Sequence, residues 1–266
     1  MKFTIICSTL DKASMNIKSK LLENFNFDKK DSITLNGHDV NIHTIDSESI
    51  HFEEAEKKID TNFFIFASKH QSKSGEKTLS VHFPGNFHTN DYGGQKNKMC
   101  GTSSGFLKES FINLNKLNTL SEFKVTLEAT HHGPYIKKPC IFIEIGSSDI
   151  EWQNNDAGKI IAKTIMKTIT NFTKKTYETA ICFGGSHYCT GFNKILINSE
   201  IAFGHICPKY QVENINLEVI KEMIDSSLEN INFALFDWKG LTASQKEKLK
   251  SIFEKLDIPI KRTKEF

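Results

Sequence analysis

Short apolar runs recur along the chain, and polar stretches separate them. The runs are rich in Ile, Phe, Val and Thr, a composition that is typical of β-strands. This pattern predicts strands at Lys2–Cys7, Asn62–Ala67, Thr78–Phe83, Glu122–Ala129, Cys140–Ile145, Thr179–Phe183, Lys194–Phe203 and Asn232–Phe236.

Apolar residues at helical spacing lie between several of these runs. Ile161 and Ile165 recur at such a spacing behind Asp156, which is placed as an N-cap. Thr242 followed by Gln245 predicts a capping box at the start of another helix. The periodicity predicts helices at Asp11–Phe25, Ser47–Ile59, Asp156–Phe172, Leu217–Ser227 and Thr242–Leu256.

Strands that alternate with helices are typical of an α/β fold whose sheet is at least partly parallel. The sequence therefore predicts a mixed, partly parallel central sheet flanked by helices. No internal repeat and no Pro-, Gly- or Ser-rich linker divides the 266 residues, so we predict a single domain over residues 1–266. Residues 69–105 are polar and glycine-dotted, which predicts a long basic loop insertion containing one short strand.

The composition is that of a globular protein, with 38% hydrophobic and 25% charged residues. A net charge of +2 neither requires nor excludes a nucleic-acid partner. Arg262 is the only arginine, so lysines would make most phosphate contacts. The apolar runs are too short to cross a bilayer, and the N-terminus resembles a strand more than a signal peptide. We therefore expect a cytoplasmic protein without membrane contact.

Six cysteines are scattered along the chain without a CxxC pair, which argues against a zinc ribbon and a redox motif. Cys7, Cys140 and Cys182 lie inside predicted strands. Buried, unpaired thiols are therefore expected at these positions.

Histidines follow several of the predicted strands. Four of them, which lie in glycine-containing segments near strand ends, are His131, His132, His187 and His205. Because open α/β sheets bind ligands at the carboxyl ends of their strands, we expect these rings to meet at one edge of the sheet. An isolated histidine is more often a surface or hydrogen-bonding group, the interpretation preferred for His38, His43, His51 and His88.

Glu144 interrupts the apolar strand "CIFIEIG" and needs an explanation. A buried carboxylate requires a metal ion or a base nearby to offset its desolvation. Histidine nitrogen and carboxylate oxygen are typical zinc ligands, and zinc with an open position can activate water. The residues therefore indicate a candidate metal and catalytic site formed by His131, His132, Glu144, His187 and His205. The alternative is a metal-free site, in which one histidine activates water and another stabilises the oxyanion.

The basic stretch "ASKHQSKSGEKTLSVHFPGNF" contains a second set of candidate residues. His70 and His82 lie in it together with Lys69, Lys73 and Lys77. One interpretation is a substrate-facing flap whose lysines attract phosphate. The alternative is a solvated hairpin.

Six blocks, taken in order, closely resemble the archaeal and plant type of D-aminoacyl-tRNA deacylase. They read "ASKHQSKSG", "SVHFPGNF", "EATHHGP", "EIGSSDIEW", "FGGSHY" and "GHICPKY", and they run from Ala67 to Tyr210. The N-terminal strand and the C-terminal helices also fit the length of that family.

The resemblance implies hydrolysis of the ester that joins a D-amino acid to the terminal ribose of tRNA. It also implies a phosphorylase/peptidyl-tRNA-hydrolase-like fold and two zinc ions per subunit. D-Aminoacyl-tRNA would be the partner, and we predict no obligate protein partner. Two other classes stay open: a metal-dependent hydrolase or nucleosidase acting on small molecules, and a non-catalytic tRNA-binding module.

Substrate contacts are expected from Lys69, His70 and His82. The backbone amides of Gly184 and Gly185 could stabilise an oxyanion. The lysines expected to meet tRNA phosphates, which would make affinity fall with added salt, are Lys69, Lys73, Lys137 and Lys138.

Overall fold

The computed structural model describes residues 1–173 and 175–266, in which eleven strands and eight α-helices follow one another. The strands are β1 Lys2–Ser8, β2 Ser32–Leu35, β3 His38–Ile45, β4 Phe63–Gln71, β5 Thr78–His82, β6 Lys124–Leu127, β7 Cys140–Ser147, β8 Glu178–Phe183, β9 Ile201–Cys207, β10 Phe233–Phe236 and β11 Ile260–Arg262. The helices are α1 Lys12–Asn24, α2 Ala55–Lys58, α3 Ser104–Leu117, α4 Asp149–Trp152, α5 Asn155–Asn171, α6 Thr190–Asn198, α7 Leu217–Asp225 and α8 Ala243–Leu256.

The strands form two sheets rather than one. The first has seven strands in the order β2-β3-β1-β4-β7-β5-β6, and the second has four in the order β11-β10-β8-β9. The second sheet is parallel throughout, whereas β5 and β6 run antiparallel to β7 in the first. The α/β class with a mixed sheet flanked by helices is therefore confirmed, and the second sheet was not anticipated.

Most predicted helices begin where a polar side chain caps them. The Asp11 carboxylate accepts the Ser14 amide at the start of α1, and Thr242 and Gln245 form the predicted capping box of α8. Helix α5 is capped by Asn154, so the prediction that Asp156 is its cap was wrong. The predicted helix Ser47–Ile59 is instead two short turns, because irregular backbone separates Ser49–His51 from α2.

The predicted strand Lys194–Phe203 was also wrong. Helix α6 covers its first part, and β9 begins only at Ile201. The buried residues Phe192, Ile195 and Leu196 recur at helical spacing, which buries one face of α6. The predictions missed β2, β3, α3, α4 and β11 entirely.

The stretch 69–105 is only partly a loop. It includes the end of β4, the whole of β5 and the start of α3, while residues 83–103 are irregular. The single-domain organisation stays a prediction. All six cysteines are free and buried, which confirms the expectation for Cys7, Cys140 and Cys182. Among the described residues, no helix combines the length and the apolar character needed to cross a membrane.

A buried ammonium group binds the carbonyl oxygens at and just beyond the C-terminus of helix α6. The Lys108 side chain, on α3, donates to the carbonyl oxygens of Leu196, Ser199 and Ile201 at 2.6, 2.7 and 2.9 Å. Unpaired carbonyls at the C-terminus of a helix are costly when they are buried away from water.

We expect Lys108→Met to lower the free energy of unfolding by about 2–4 kcal/mol, because three carbonyls lose their donor. Urea denaturation followed by circular dichroism measures this change. Lys116→Met, at an exposed position of the same helix, is the matched control and should change stability by less than about 0.5 kcal/mol. Equal effects of the two substitutions would contradict the assignment.

Candidate active site

One face of the first sheet changes from apolar to polar along its central strands. On β4, Phe66 is followed on the same face by Ser68 and His70, and on β7 Phe142 is followed by Glu144. Ser68 lies opposite Glu144 in the register of the two strands. The apolar half of this face forms a core cluster, and the polar half forms the floor of the candidate site.

Strands β5 and β6 complete this polar floor. His82 lies opposite Phe142 on β7, which places its ring beside Glu144 on the same face. Glu128 follows β6 directly, and its amide donates to the Val81 carbonyl of β5. Because β6 and β7 point in opposite directions, their carboxyl ends do not share an edge. The expectation that the site lies at one edge was therefore wrong, and the site lies on a face.

Glu128 is the centre of the cluster. Its side chain is fully buried, and its Oε2 atom lies 2.9 Å from His187 Nε2 and 3.1 Å from His70 Nδ1. His131 Nε2 lies 3.7 Å from the same oxygen. Glu128 was not among the predicted site residues, although a carboxylate inside the apolar run "VTLEA" is the same signal that singled out Glu144.

Glu144 forms a second point of contact on the floor. Its Oε2 atom lies 3.6 Å from His82 Nε2 and 3.8 Å from His70 Nδ1, and its side chain is 3% exposed. Two buried carboxylates therefore share the rings of His70, His82, His131 and His187, with His132 packed against His82 and His131.

Three of these histidines are held by backbone carbonyls. His82, His131 and His132 place Nδ1 at 3.2, 2.8 and 2.6 Å from the carbonyl oxygens of Phe83, Ala129 and Gly133. A carbonyl oxygen only accepts, so each Nδ1 carries the proton and each Nε2 keeps a lone pair. Metal-binding histidines are commonly oriented in this way.

The titration behaviour of the cluster follows from burial and from the contacts within it. Burial, with the neighbouring rings of His132 and His82, holds the pKa of His131 well below its usual range. Burial lowers the pKa of His132 to about 3, so both imidazoles are neutral at physiological pH. Burial opposes ionisation of Glu128, but hydrogen bonds from His187 and His70 outweigh it and hold its pKa well below the usual range.

Glu144 and His82 titrate as partners. Burial, aided by the Glu128 carboxylate, raises the pKa of Glu144 even though His82 opposes the shift. Burial alone would lower the pKa of His82, but the contact with Glu144 outweighs it and the pKa is raised. Glu128 is thus held in its ionised form, whereas burial favours the protonated form of Glu144.

A pocket of about 840 Å³ opens above the cluster. Its floor is formed by His70, His131, His132, Glu144 and His187, and its rim includes Lys69, Lys73, Tyr92 and Trp152. The Trp152 indole donates to the His70 carbonyl at 2.9 Å, and the Tyr188 hydroxyl lies 3.0 Å from His70 Nε2. These contacts fix the position of His70.

The comparisons with known proteins agree on one family. The sequence model described as "D-aminoacyl-tRNA deacylase" matches residues 57–261. A D-aminoacyl-tRNA deacylase from Pyrococcus abyssi is 35% identical over 96% of this chain and 97% of its own length. The chain belongs to the D-aminoacyl-tRNA deacylase family. The family member from Thermococcus kodakarensis is 34% identical, with the same coverage of both chains.

A solved structure has the same fold. The crystal structure of a conserved protein of unknown function, AF0625, superposes with a TM-score of 0.88 at 29% identity, covering 99% of this chain and 96% of that one. The D-aminoacyl-tRNA deacylase resemblance seen in the sequence is therefore confirmed over nearly the whole chain.

Some predicted site residues of this deacylase family member lie outside the cluster. His205 is fully buried on β9, and its ring nitrogens are engaged by the Thr130 hydroxyl at 3.1 Å and the Cys100 carbonyl at 3.0 Å. Burial lowers its pKa to about 4. His205 belongs to none of the ligand groups formed by the described residues and does not line the histidine pocket, so the geometry argues against His205 as a metal ligand.

The predicted oxyanion donors are also placed elsewhere. The Gly184 amide donates to the Cys207 carbonyl at 2.9 Å, so it has no proton left for a substrate. Gly185 lines a different pocket. Among the lysines, Lys69 and Lys73 line the histidine pocket, whereas the Lys138 ammonium donates to the Thr61 carbonyl at 2.8 Å. Lys137 is exposed.

The position after the paired histidines has room only for glycine. A β-carbon at Gly133 would come within 2.2 Å of the Gly94 amide nitrogen and 2.5 Å of the Ile50 carbonyl oxygen. His132 itself adopts a left-handed backbone with φ of 47°, which is uncommon outside glycine and recurs at functional sites. The segment 131–133 is thus tightly packed against the pocket rim.

Proposed function

We propose that this protein hydrolyses the ester bond of D-aminoacyl-tRNA and releases free D-amino acid and tRNA. The observation that carries the proposal is the pair of buried carboxylates surrounded by five histidines on the floor of an open pocket. This arrangement occurs in a chain whose full-length relatives are named D-aminoacyl-tRNA deacylase. We place the reaction in the cytoplasm.

The residues present fit zinc. Among the described residues, three groups have ligand atoms within 4.8 Å of one another, and the third is His82, Glu128 and Glu144. The two groups that share no residue are His82, His131 and His132 in one triad, and His70, Glu128 and His187 in the other. Within the described chain, His82 Nε2 and Glu128 Oε1 are buried and lack a hydrogen-bond partner, as expected for atoms that await a ligand. We propose that these triads hold the two zinc ions that the family resemblance implies.

When bound, zinc would act as a Lewis acid toward the ester carbonyl and would acidify a water molecule. The side chains of the cluster orient one another and determine which atoms carry protons. His131 and His132 stay neutral and present Nε2 to the pocket. Glu128 fixes the rings of His70 and His187 by hydrogen bonds. Glu144, whose pKa is raised by burial, lies on the pocket floor and is the proposed general base, since it can accept a proton from water.

Lysines on the rim are proposed to hold the phosphates nearest to the ester. Lys69 and Lys73 line the pocket, and the Lys69 ammonium lies 5.2 Å from the centre of the Trp152 ring. The exposed carboxylates of Glu48 and Asp149 also line this pocket, so its mouth is not uniformly positive. An anionic chain could still use the two ammonium groups for phosphate contacts, which a neutral small molecule could not. This feature favours a tRNA substrate over the small-molecule alternative.

Replacing Lys69 and Lys73 together with alanine should weaken tRNA binding about tenfold at low salt. The slope of log affinity against log salt should fall by roughly 1.4 to 1.8, because two phosphate contacts are lost. Filter binding over a salt series measures both. Lys77→Ala, in the same basic stretch but outside the pocket lining, is the control. A salt slope that is the same in all variants would exclude this role.

The decisive experiment compares one tRNA charged with D-tyrosine and with L-tyrosine. We expect rapid release of D-tyrosine, little release of L-tyrosine, and loss of the D-activity on chelation with recovery on added zinc. Nucleosides serve as the comparison substrate. Hydrolysis of nucleosides without release of D-tyrosine would support the small-molecule alternative and reject the proposal.

A further inference from the structure

A second pocket, of about 520 Å³, lies at the carboxyl-terminal edge of the second sheet. Its walls come from the loops that follow β8, β9 and β10, and they include Gly185, Ser186, Lys209, Tyr210 and Asp237. Within the described chain, none of these residues lines the histidine pocket.

The strand order places this pocket where the chain changes direction across the sheet. From β8 the chain passes to β9 on one side, and it then returns to β10 on the other side of β8. The three strands are parallel, so their carboxyl ends share one edge. Open α/β sheets bind ligands in the crevice at such a point.

The pocket is held by hydrogen bonds between its loops. The Lys209 amide donates to the Gly185 carbonyl at 3.0 Å, and the Gln245 side chain on α8 donates to the Lys209 carbonyl at 3.2 Å. A β-carbon at Gly184 would come within 2.8 Å of the Asp237 β-carbon, so the loops after β8 and β10 pack closely. The walls are therefore positioned before any ligand arrives.

The lining has the chemistry of a nucleoside site. Tyr210 is 56% exposed and offers an aromatic face to a base. Glu213 and Asp237 also line the pocket, and their carboxylates can accept hydrogen bonds from ribose hydroxyls or a base amino group. These two carboxylates outnumber the Lys209 ammonium in the lining, which disfavours a phosphate there, so phosphates would have to lie outside the pocket.

Cations surround the neighbouring aromatic residue. Around the Trp238 ring centre, the Arg262 guanidinium carbon lies at 4.0 Å, and the ammonium groups of Lys246 and Lys250 lie at 4.9 and 5.4 Å. Trp238 directly follows Asp237, which lines the pocket, but Trp238 is not itself part of the lining. Aromatic faces beside a row of cations are typical of surfaces that bind single-stranded nucleic acid.

The two pockets adjoin through one loop. Ser186 lines the second pocket and His187 lines the first. Their Cα atoms are consecutive and therefore about 3.8 Å apart. A chain that crosses this loop can thus place its reacting end beside the histidines and an adjoining unit in the second pocket.

We propose that the second pocket binds a nucleoside of the single-stranded 3′ end of the tRNA, with the adjoining phosphates on Lys246, Lys250 and Arg262. The inference rests on the proposed function, since it assigns a binding site to the same substrate. Tyr210 is then a positioning residue, which holds the RNA so that the ester reaches the histidine cluster.

The test measures RNA binding and chemistry separately. Fluorescence anisotropy with uncharged tRNA and with a 5′-labelled single-stranded RNA ending in CCA gives affinity, and AMP serves as competitor. Tyr210→Ala should lower the affinity for both RNAs about tenfold, because base stacking is lost. Arg262→Ala should also lower the affinity for both RNAs, and it should reduce the slope of log affinity against log salt by about 0.7. Lys163→Ala, exposed on α5, is the control.

Tyr210→Ala should raise KM for D-tyrosyl-tRNA more than it lowers kcat, and Tyr210→Phe, which keeps the aromatic face, should restore KM. Unchanged RNA affinity in both Tyr210→Ala and Arg262→Ala would overturn the inference. Tight AMP binding with unaltered tRNA affinity would also overturn it, in favour of a free nucleotide. A parent protein that binds RNA through Tyr210 but releases no D-tyrosine would refute the proposed function alone.

Discussion

Glu128→Gln is expected to lower kcat/KM for D-tyrosyl-tRNA by roughly 10²–10⁴-fold, the range for loss of a group that acts on proton positions. Glutamine has nearly the same shape but lacks the charge. His70 and His187 would lose the anion that orients them at 3.1 and 2.9 Å. The proposed His70–Glu128–His187 triad would also lose its anionic ligand.

The control is Glu122→Gln, at an exposed position six residues earlier on the chain. It should leave the rate unchanged within about twofold, as surface substitutions usually do. Thermal melting and circular dichroism show whether Glu128→Gln is folded. A folded Glu128→Gln variant with full activity would remove the carboxylate from the mechanism.

His82→Ala is expected to reduce the zinc bound per subunit and to lower kcat/KM by at least about 10²-fold. His82 is buried beside Glu144, and its Nε2 atom has no hydrogen-bond partner in the described part of the chain. Elemental analysis of purified protein measures the metal independently of activity. His132→Ala should behave alike, and its half-buried position makes misfolding less of a concern.

Two further histidines serve as controls for the metal measurement. His88→Ala, which is exposed on the same segment as His82, should leave zinc content and rate unchanged. His205→Ala should keep its zinc but melt at a lower temperature, because Thr130 and Cys100 lose a buried partner. If His205→Ala lost its zinc and His82→Ala kept it, His205 would be the metal ligand and His82 would not.

The sequence was sufficient for elements whose pattern is unambiguous. The apolar runs gave β1, β7 and β10 within a few residues, and the Thr242–Gln245 pair located the start of α8. The strand predicted at Lys194–Phe203 was wrong because a short apolar stretch is too short for its periodicity to distinguish a helix from a strand. Its helical half was identifiable only from Phe192, which lies before the predicted strand.

Helix α3 was missed although its signals are present. Ser103 caps it, and Phe106, Phe111 and Leu114 are buried along one side. The polar, glycine-containing stretch that precedes α3 was predicted as a loop, and the first residues of the helix were included in that loop. The antiparallel insertion of β5 and β6 had no sequence signal, because strand order depends on packing between distant segments.

The candidate site was predictable as a group and not in its details. Histidines near strand ends and a carboxylate in an apolar strand identified most of its members. His205 has the same local signal as the others, yet the Thr130 hydroxyl and the Cys100 carbonyl occupy it. Only the tertiary structure shows that His205 lies apart from the ligand groups that the other histidines form.

The loop after β8 has a consequence for how the protein loses activity under stress. The His187 carbonyl accepts the Ala129 amide at 2.8 Å, and the Tyr188 carbonyl accepts the Thr126 hydroxyl at 2.8 Å, so this loop ties the smaller sheet to the larger one. Denaturation that detaches the smaller sheet would therefore dismantle the histidine cluster at the same moment. Cooperative melting and inactivation should coincide. Trp152, at the end of α4 beside the larger sheet, and Trp238, in the loop after β10 of the smaller sheet, should report a single transition.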